Sequence, residues 1–268
     1  MSLRSVVPRR GARSDWARAV AFASVAAGLA LTLASAHAVA QPAGGMTKPA
    51  EAGPINYLIL VAVLGLLPFA FMSLTAFVKI STVLQIVRGA IGAANVPTNT
   101  IIMALSVVLT LVAMAPLGAK IAEGAGPILR DAQALPATDQ VSRLVEVVRE
   151  PLRGFLGANA SPKERKRFLA LARHARPAEE RASLSERHLI VLMPAFVVTE
   201  LVEAFALGFA LFLPFLIIDL VVSNVLLALG MQMTNPSQVS LPFKLLLFVA
   251  IDGWGLLAQA LVVGYEMG

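Results

Sequence analysis

From Leu189 to Met233 the sequence is apolar almost without interruption, yet Glu200, Glu203 and Asp219 lie inside the run. The run closes on Gly230-Met231-Gln232-Met233-Thr234-Asn235-Pro236. At 1.5 Å per residue a helix of this length measures roughly 65–70 Å, about twice the ~30 Å hydrocarbon core of a bilayer. The run therefore bends, doubles back or stands partly outside lipid. Carboxylates in such surroundings are costly and require a partner or a cavity.

The rest of the composition agrees. Apolar residues make up 57% of the chain, charged residues 14%, and the mean hydropathy is +0.77, which marks an integral membrane protein. With no cysteine there is no disulfide framework and no thiolate chemistry. The net charge of +6 does not describe a nucleic-acid surface. Five arginines precede residue 19, and the thirteen Lys and Arg of residues 120–188 are accompanied by nine acids.

Residues 1–40 read as a signal peptide: Arg4, Arg9, Arg10, Arg13 and Arg18, an apolar stretch from Ala19 to Leu33, then Ala38-Val39-Ala40 before Gln41. Cleavage is expected after Ala40, with an uncleaved first anchor as the alternative. Arg9-Arg10 raises a twin-arginine export signal, but Gly11-Ala12-Arg13 follows where that signal prefers apolar residues. A disordered Pro- and Gly-rich linker is expected over residues 41–54.

A first membrane hairpin is expected over residues 55–119. Its spans are Ile55 to Val78, with Pro68 near the middle, and Thr100 or Ile101 to Leu117. Lys79 to Asn99 would connect them, and its two charges, Lys79 and Arg88, would mark the cytoplasmic side. Residues 120–188 then fall in the periplasm, since loops longer than about 60 residues translocate largely regardless of charge. Within them a helical period is carried by Val141, Leu144, Val145, Val148, Leu152 and Phe155, with Pro151 expected to bend that helix.

Ser161-Pro162-Lys163-Glu164 has the form of a capping box and opens a basic helix that should stop before Pro177. Two or three amphipathic helices are expected here. The basic helix has only Phe168 for stacking, so it reads as a solvated face or a partner contact and not as a nucleic-acid surface. His174 and His188 lack a second ligand at metal spacing and are expected at the surface.

No catalytic motif is found: there is no His-Glu-x-x-His, no Gly-x-Ser-x-Gly and no Gly-x-x-x-x-Gly-Lys. Gly253-Trp254-Gly255-Leu256-Leu257-Ala258 matches a dinucleotide fingerprint formally but has no preceding strand. No cofactor and no metal is expected. For Glu200, Glu203, Asp219 and Asp252 two readings stand: a proton or ion relay, or structural partnering, either by an interhelical hydrogen bond or by pairing with Lys or Arg of a neighbouring subunit. By composition alone Met231 and Met233 are gap-filling core at a helix end.

Longer strings carry a family resemblance. Phe77-Val78-Lys79-Ile80, Arg88-Gly89-Ala90-Ile91-Gly92, Pro97-Thr98-Asn99, Val112-Ala113-Met114-Ala115-Pro116 and Pro151-Leu152-Arg153-Gly154-Phe155-Leu156 resemble the R component of the type III secretion export apparatus. The second half resembles it more closely, in Pro194-Ala195-Phe196, Thr199-Glu200-Leu201, Leu213-Pro214-Phe215-Leu216-Ile217-Ile218-Asp219, Gly230-Met231-Gln232-Met233, Ser240-Leu241-Pro242-Phe243-Lys244-Leu245-Leu246-Leu247-Phe248 and Asp252-Gly253-Trp254. The flagellar P protein is the paralogue. Phe77-Val78-Lys79 and Val222-Ser223-Asn224-Val225-Leu226-Leu227-Ala228 look more like the injectisome version, whereas a cleavable leader is more usual in the flagellar one. The sequence departs from the family pattern at Gly89, Val202 and Gln232, the last of which interrupts a run of methionines.

The resemblance implies an all-α, multi-pass membrane protein of long kinked helices and helical hairpins, with a helical periplasmic insertion at 120–188 and long apolar helices over 189–268. Five copies would assemble with S-type and T-type subunits into a conical helical oligomer in the bacterial inner membrane. Its partners would be an export gate protein, a cytosolic ATPase complex and unfolded secreted polypeptides. The long apolar helices would then be buried against neighbours, with Pro214 supplying a bend.

The resemblance also makes the 230–236 loop a pore feature: Met231, Gln232 and Met233 as a gasket, Gly230 and Pro236 as the residues that permit the turn. Hydrophobic constrictions gate by dewetting, and thioethers re-pack around varied cargo. Rival readings are an ion-coupled small-solute transporter using Glu200, Asp219 and Asp252, and a purely structural anchor.

Overall fold

Two buried rows on adjacent helices organise the fold. Ile80, Val83, Leu84, Val87 and Ile91 recur at the three- and four-residue spacing that puts side chains on one face of a helix, and all are buried. They pack chiefly against a second row from Leu192, Ala195, Phe196 and Ala204. The computed structural model describes residues 68–93, 96–130, 137–231 and 233–265, with Ala62, Gly65 and Leu66. The leader expected at 1–40, the linker at 41–54 and Gln232 lie outside the described residues.

Among the described residues the secondary structure is helical, with no strand. In chain order the helices are α1 (Pro68–Leu74), α2 (Phe77–Ile91), α3 (Asn99–Arg130), α4 (Ala137–Asn159), α5 (Pro162–His174), α6 (Ala178–Arg181), α7 (Leu189–Ala228), α8 (Pro236–Ala250) and α9 (Gly253–Val263). Among the described residues two helices, over Asn99–Ile128 and Leu189–Ala228, are long and apolar enough to cross a membrane. Two further pairs reach that length only as bent units, α1–α2 at 75° and α8–α9 at 58°. The expectation of an all-helical membrane protein holds.

Several boundaries differ from expectation. The apolar stretch expected to span from Ile55 to Val78 breaks between Leu74 and Phe77, because hydroxyls there bond the backbone locally. Ser73 Oγ donates to the Phe69 carbonyl and Thr75 Oγ1 to the Phe71 carbonyl, both at 2.6 Å, and Thr75 Oγ1 accepts from Phe77 N. Residues expected as the connection from Lys79 to Asn99 are instead mostly α2. It ends at Gly92, whose φ of 74° lets its N–H return to the Arg88 carbonyl at 3.3 Å.

The expected end of the second span at Leu117 is also too early, since α3 continues through Pro116 and Pro127 to Arg130. Its extension is held by close packing on α4: a Cβ at Gly124 would lie 2.6 Å from Val147 Cγ1. Inside α3, Ser106 and Thr110 are fully buried and satisfy themselves one turn back, bonding the carbonyls of Ile102 and Ser106 at 2.8 and 2.6 Å.

The basic helix matches its reading. Ser161 Oγ accepts from Glu164 N at 3.3 Å, Pro162 opens α5, and the helix ends at His174, before Pro177. The helix α4 is continuous through Pro151. So is α7 through Pro194 and Pro214, which resolves the long run as one helix of 40 residues and not a hairpin within itself. At ~1.5 Å per residue it is about 60 Å long. Only 11% of its most apolar window is buried within the chain, so an apolar flank including Val202, Phe205, Phe209, Ile217, Leu220 and Val221 is left uncovered.

The chain folds α8 back along α7 in an antiparallel hairpin, with Phe215 and Phe248 rings 6.3 Å apart and Asp219 against Ser240. At the α8–α9 break Asp252 adopts a left-handed φ of 51°. The next residue has to be glycine: a Cβ at Gly253 would sit 2.3 Å from the Phe248 ring. That close approach is the physical reason for the first glycine of the dinucleotide-like string, which lies in α9.

Candidate functional site

The charges of the apolar helices collect in two clusters. Along α7, Glu200 and Glu203 stand three residues apart and so share a face. Lys79, in the first turn of α2, points at that face, with Nζ 3.0 Å from Glu200 Oε1 and 2.6 Å from Glu203 Oε2. Lys79 and Glu200 are buried, the latter at 0% exposure, while the Glu203 side chain is 51% exposed. Lys79 is therefore not a charge of a cytoplasmic loop, as its place in the sequence suggested. It sits on the buried face of a helix because the carboxylates of α7 offer it the partners that lipid or packed side chains cannot.

Tyr265, just beyond α9, closes this cluster. Its hydroxyl donates to Glu200 Oε2 and lies 3.2 Å from the Ala76 carbonyl. Its ring stacks on Phe155 at 6.0 Å and carries Lys79 Nζ 4.5 Å from its centroid. Burial, and secondarily the Glu200 carboxylate, push the phenol well above its ordinary value, so it remains a donor. Through Lys79, Glu200, Phe155 and Tyr265, α2, α7, α4 and the chain beyond α9 are joined. Close packing continues along α2 and α7, where a Cβ at Gly208 would lie 2.5 Å from Ile86 Cδ1.

The second cluster lies nineteen residues further along α7, about 28 Å at 1.5 Å per residue. Lys244 of α8, buried, places Nζ 2.6 Å from Asp219 Oδ2 and donates to the Ala90 carbonyl at 3.2 Å. The latter belongs to the last turn of α2, so the ammonium also meets the negative end of that helix. Ser240, fully buried, donates to Asp219 Oδ1 at 2.5 Å. Between the clusters an apolar cavity of about 430 Å³ is lined by α2, α7, α8 and α9, with Pro214 and Phe215 on its wall.

The structure thus brings Glu200, Glu203 and Asp219 to lysines of the same chain. Of the readings given for these three, interhelical bonding within the chain is the arrangement seen. Asp252 joins neither cluster: it is exposed at the α8–α9 break. Arg88 is half-buried in the last turn of α2. Lys244, Ser240 and Tyr265 were not singled out from the sequence. The rule that flagged the carboxylates, an ionisable group inside an apolar string, would have found Lys244 in Leu241-Pro242-Phe243-Lys244-Leu245.

The 230–236 loop caps the α7–α8 hairpin. Gly230, at φ 71°, gives its N–H to the Leu227 carbonyl at 3.0 Å, and Met231 gives its N–H to the Leu226 carbonyl at 2.9 Å, the paired bonds of a glycine-terminated helix. On the far side Asn235 Oδ1 accepts from Ser237 N at 3.0 Å, and Pro236 occupies the first turn of α8. Met231 is 47% exposed and Met233 101%. Neither is core, which corrects the composition-only reading. Among the described residues no group of His, Cys, Asp or Glu is arranged to hold a metal, and His174 and His188 are exposed.

Fold and site define an all-helical membrane protein in which scarce buried charges join helix to helix and sulfur side chains project from a stapled hairpin tip. The chain belongs to the FliP family, which it matches over residues 60–261. It is 39% identical over 211 residues to the hypersensitivity response secretion protein HrcR of Ralstonia nicotianae, covering 79% of this chain and 97% of that protein. It is 37% identical to the Yop proteins translocation protein R of Yersinia pestis, covering 79% and 96%. With the flagellar biosynthetic protein FliP of Caulobacter vibrioides it shares 35% identity over 263 residues, covering 96% and 95%. It is a subunit of a type III protein secretion export apparatus.

Proposed function

We propose that the subunit forms the inner-membrane entry pore for unfolded secreted polypeptides, with Met231 and Met233 as its closing surface. The observation that carries this reading is the exposure of both thioethers at the tip of a hairpin whose backbone is fixed on each side. One such tip has nothing to close against. Several copies around an axis would bring the tips together, and the uncovered apolar flank of α7 supplies surface for copy-to-copy and S-type or T-type packing. Five copies, with α4 to α6 on the periplasmic side, fit the family pattern that marks the loop as a pore feature.

In this reading the protein carries out no reaction, and the energy for export comes from an export gate protein and a cytosolic ATPase. The ion-relay rival is disfavoured because Glu200 and Asp219 are each engaged by a lysine and lie far apart on α7. Between the two secretion systems, the higher identity to HrcR supports the injectisome. The longer coverage of the flagellar relative, which extends into the amino-terminal region, supports the flagellum as second reading.

The test is conductance of the assembled complex in planar bilayers. Substituting Met231→Ala and Met233→Ala together should raise resting ion leakage severalfold, because a wider, less apolar constriction stays wet. Unchanged leakage in a complex of normal subunit composition would remove the loop from the closing surface.

A further inference from the structure

Away from the α7–α8 hairpin, a cavity of about 470 Å³ opens where α4, α5 and the start of α7 meet. Arg153, Arg165 and Arg187 line it, one from each of these three parts of the chain, together with Glu150. Arg153 gives Nη1 to Glu150, but its Nε is buried with no acceptor. The Nε of Arg165 is likewise buried with no acceptor, and neither Arg165 nor Arg187 takes part in an ion pair among the described residues. A guanidinium N–H removed from water without an acceptor is costly, and native proteins rarely leave two in one place. The floor is open: a Cβ at Gly157 would meet nothing within 4 Å.

We infer that Arg153, Arg165 and Arg187 form a binding pocket for a phosphate group, presented either as free phosphate or as the headgroup of an anionic phospholipid. Three cations face one carboxylate, so the cavity carries an excess of positive charge. Each guanidinium is a planar fork suited to two oxygens, and forks arriving from three elements match a group with oxygens on several sides. A carboxylate, with two oxygens, is filled by a single fork. Leu192 of α7 also lines the cavity, and Ile190 and Met193, next to it in sequence, are exposed apolar side chains. Acyl chains of a bound lipid would lie there.

The test is a titration of the detergent-extracted complex containing the full chain, following its thermal unfolding midpoint. The probes are inorganic phosphate and dihexanoyl phosphatidylglycerol. A saturable rise in midpoint is expected, with affinity weakened roughly tenfold or more by Arg165→Lys, which keeps the charge but removes the Nε donor and the fork, and by Arg187→Gln at the exposed rim. A response to phosphatidylglycerol alone identifies the lipid headgroup, and a response to both identifies the phosphate group itself. The inference is overturned if neither probe binds, if both variants bind like wild type, or if acetate and a glutamate-rich peptide compete as well as phosphate does.

Discussion

The helices of residues 137–181 and those of residues 189–263 handle charge in opposite ways. In the first region ion pairs are local and mostly exposed: Arg149 with Glu146 at 3.2 Å within α4, and Arg176 with Glu180 at 3.1 Å across the joint between α5 and α6. In the second they are few and join separate elements through buried lysines: Lys244 meets Asp219 25 residues away, and Lys79 of α2 reaches Glu200 of α7. The difference follows from solvent. Where water is present a charge is stable wherever it falls, and pairing adds little. Where it is absent a charge survives only if another element supplies its partner, so each pair also fixes how two helices dock.

That contrast breaks most sharply at Lys79. Lys79→Met leaves Glu200 buried with a tyrosine as its remaining donor, and should destabilise the chain by about 3–5 kcal/mol. Adding Glu200→Gln should restore a large part. Unfolding of the four proteins of the double-mutant cycle in detergent measures the coupling, and additive losses would show that the pair does not join α2 to α7.

A middle-sized effect is expected from packing alone. Gly208→Ala drives a methyl into Ile86 and should cost about 1–3 kcal/mol, after any gain in helix propensity. The accompanying change Ile86→Val removes the nearest obstructing carbon and should recover stability in the same unfolding assay. The smallest effect belongs to the exposed region. Arg149→Ala removes an ion pair within α4 and should shift stability by no more than about 0.5 kcal/mol, a shift that about 0.5 M salt abolishes.

Element type was legible in the sequence where a single helix decides it. The apolar run of α7, the helical period from Val141 to Phe155 in α4 and the Ser161 cap of α5 all depend on neighbours within four residues. The tip geometry was legible too, because Gly230 and Pro236 act through their own backbone, although the side-chain cap from Asn235 was not singled out. What was not legible depends on tertiary contact. Lys79 reads as a loop charge until α7 brings Glu200 beside it, and Tyr265 is an ordinary residue after an apolar helix until its ring meets Phe155. The break at Thr75 is hidden for a different reason: hydroxyl back-bonding interrupts a helix without the proline or glycine that usually announces it. The carboxylates stand out in the sequence, but their partners do not, since nothing in a sequence distinguishes a lysine of the same molecule from that of its neighbour.

The position of the Asp219, Ser240 and Lys244 contacts has a mechanical consequence. Beyond Asp219, α7 continues for nine residues to Ala228, so the hairpin end projects as a short beam, about 13 Å from fulcrum to tip at 1.5 Å per residue. A rotation of roughly 10° at that fulcrum displaces the sulfur-bearing end by about 2 Å, comparable to the radius of one methyl group. Small adjustments at a salt link thus translate into side-chain-sized steps at the far end.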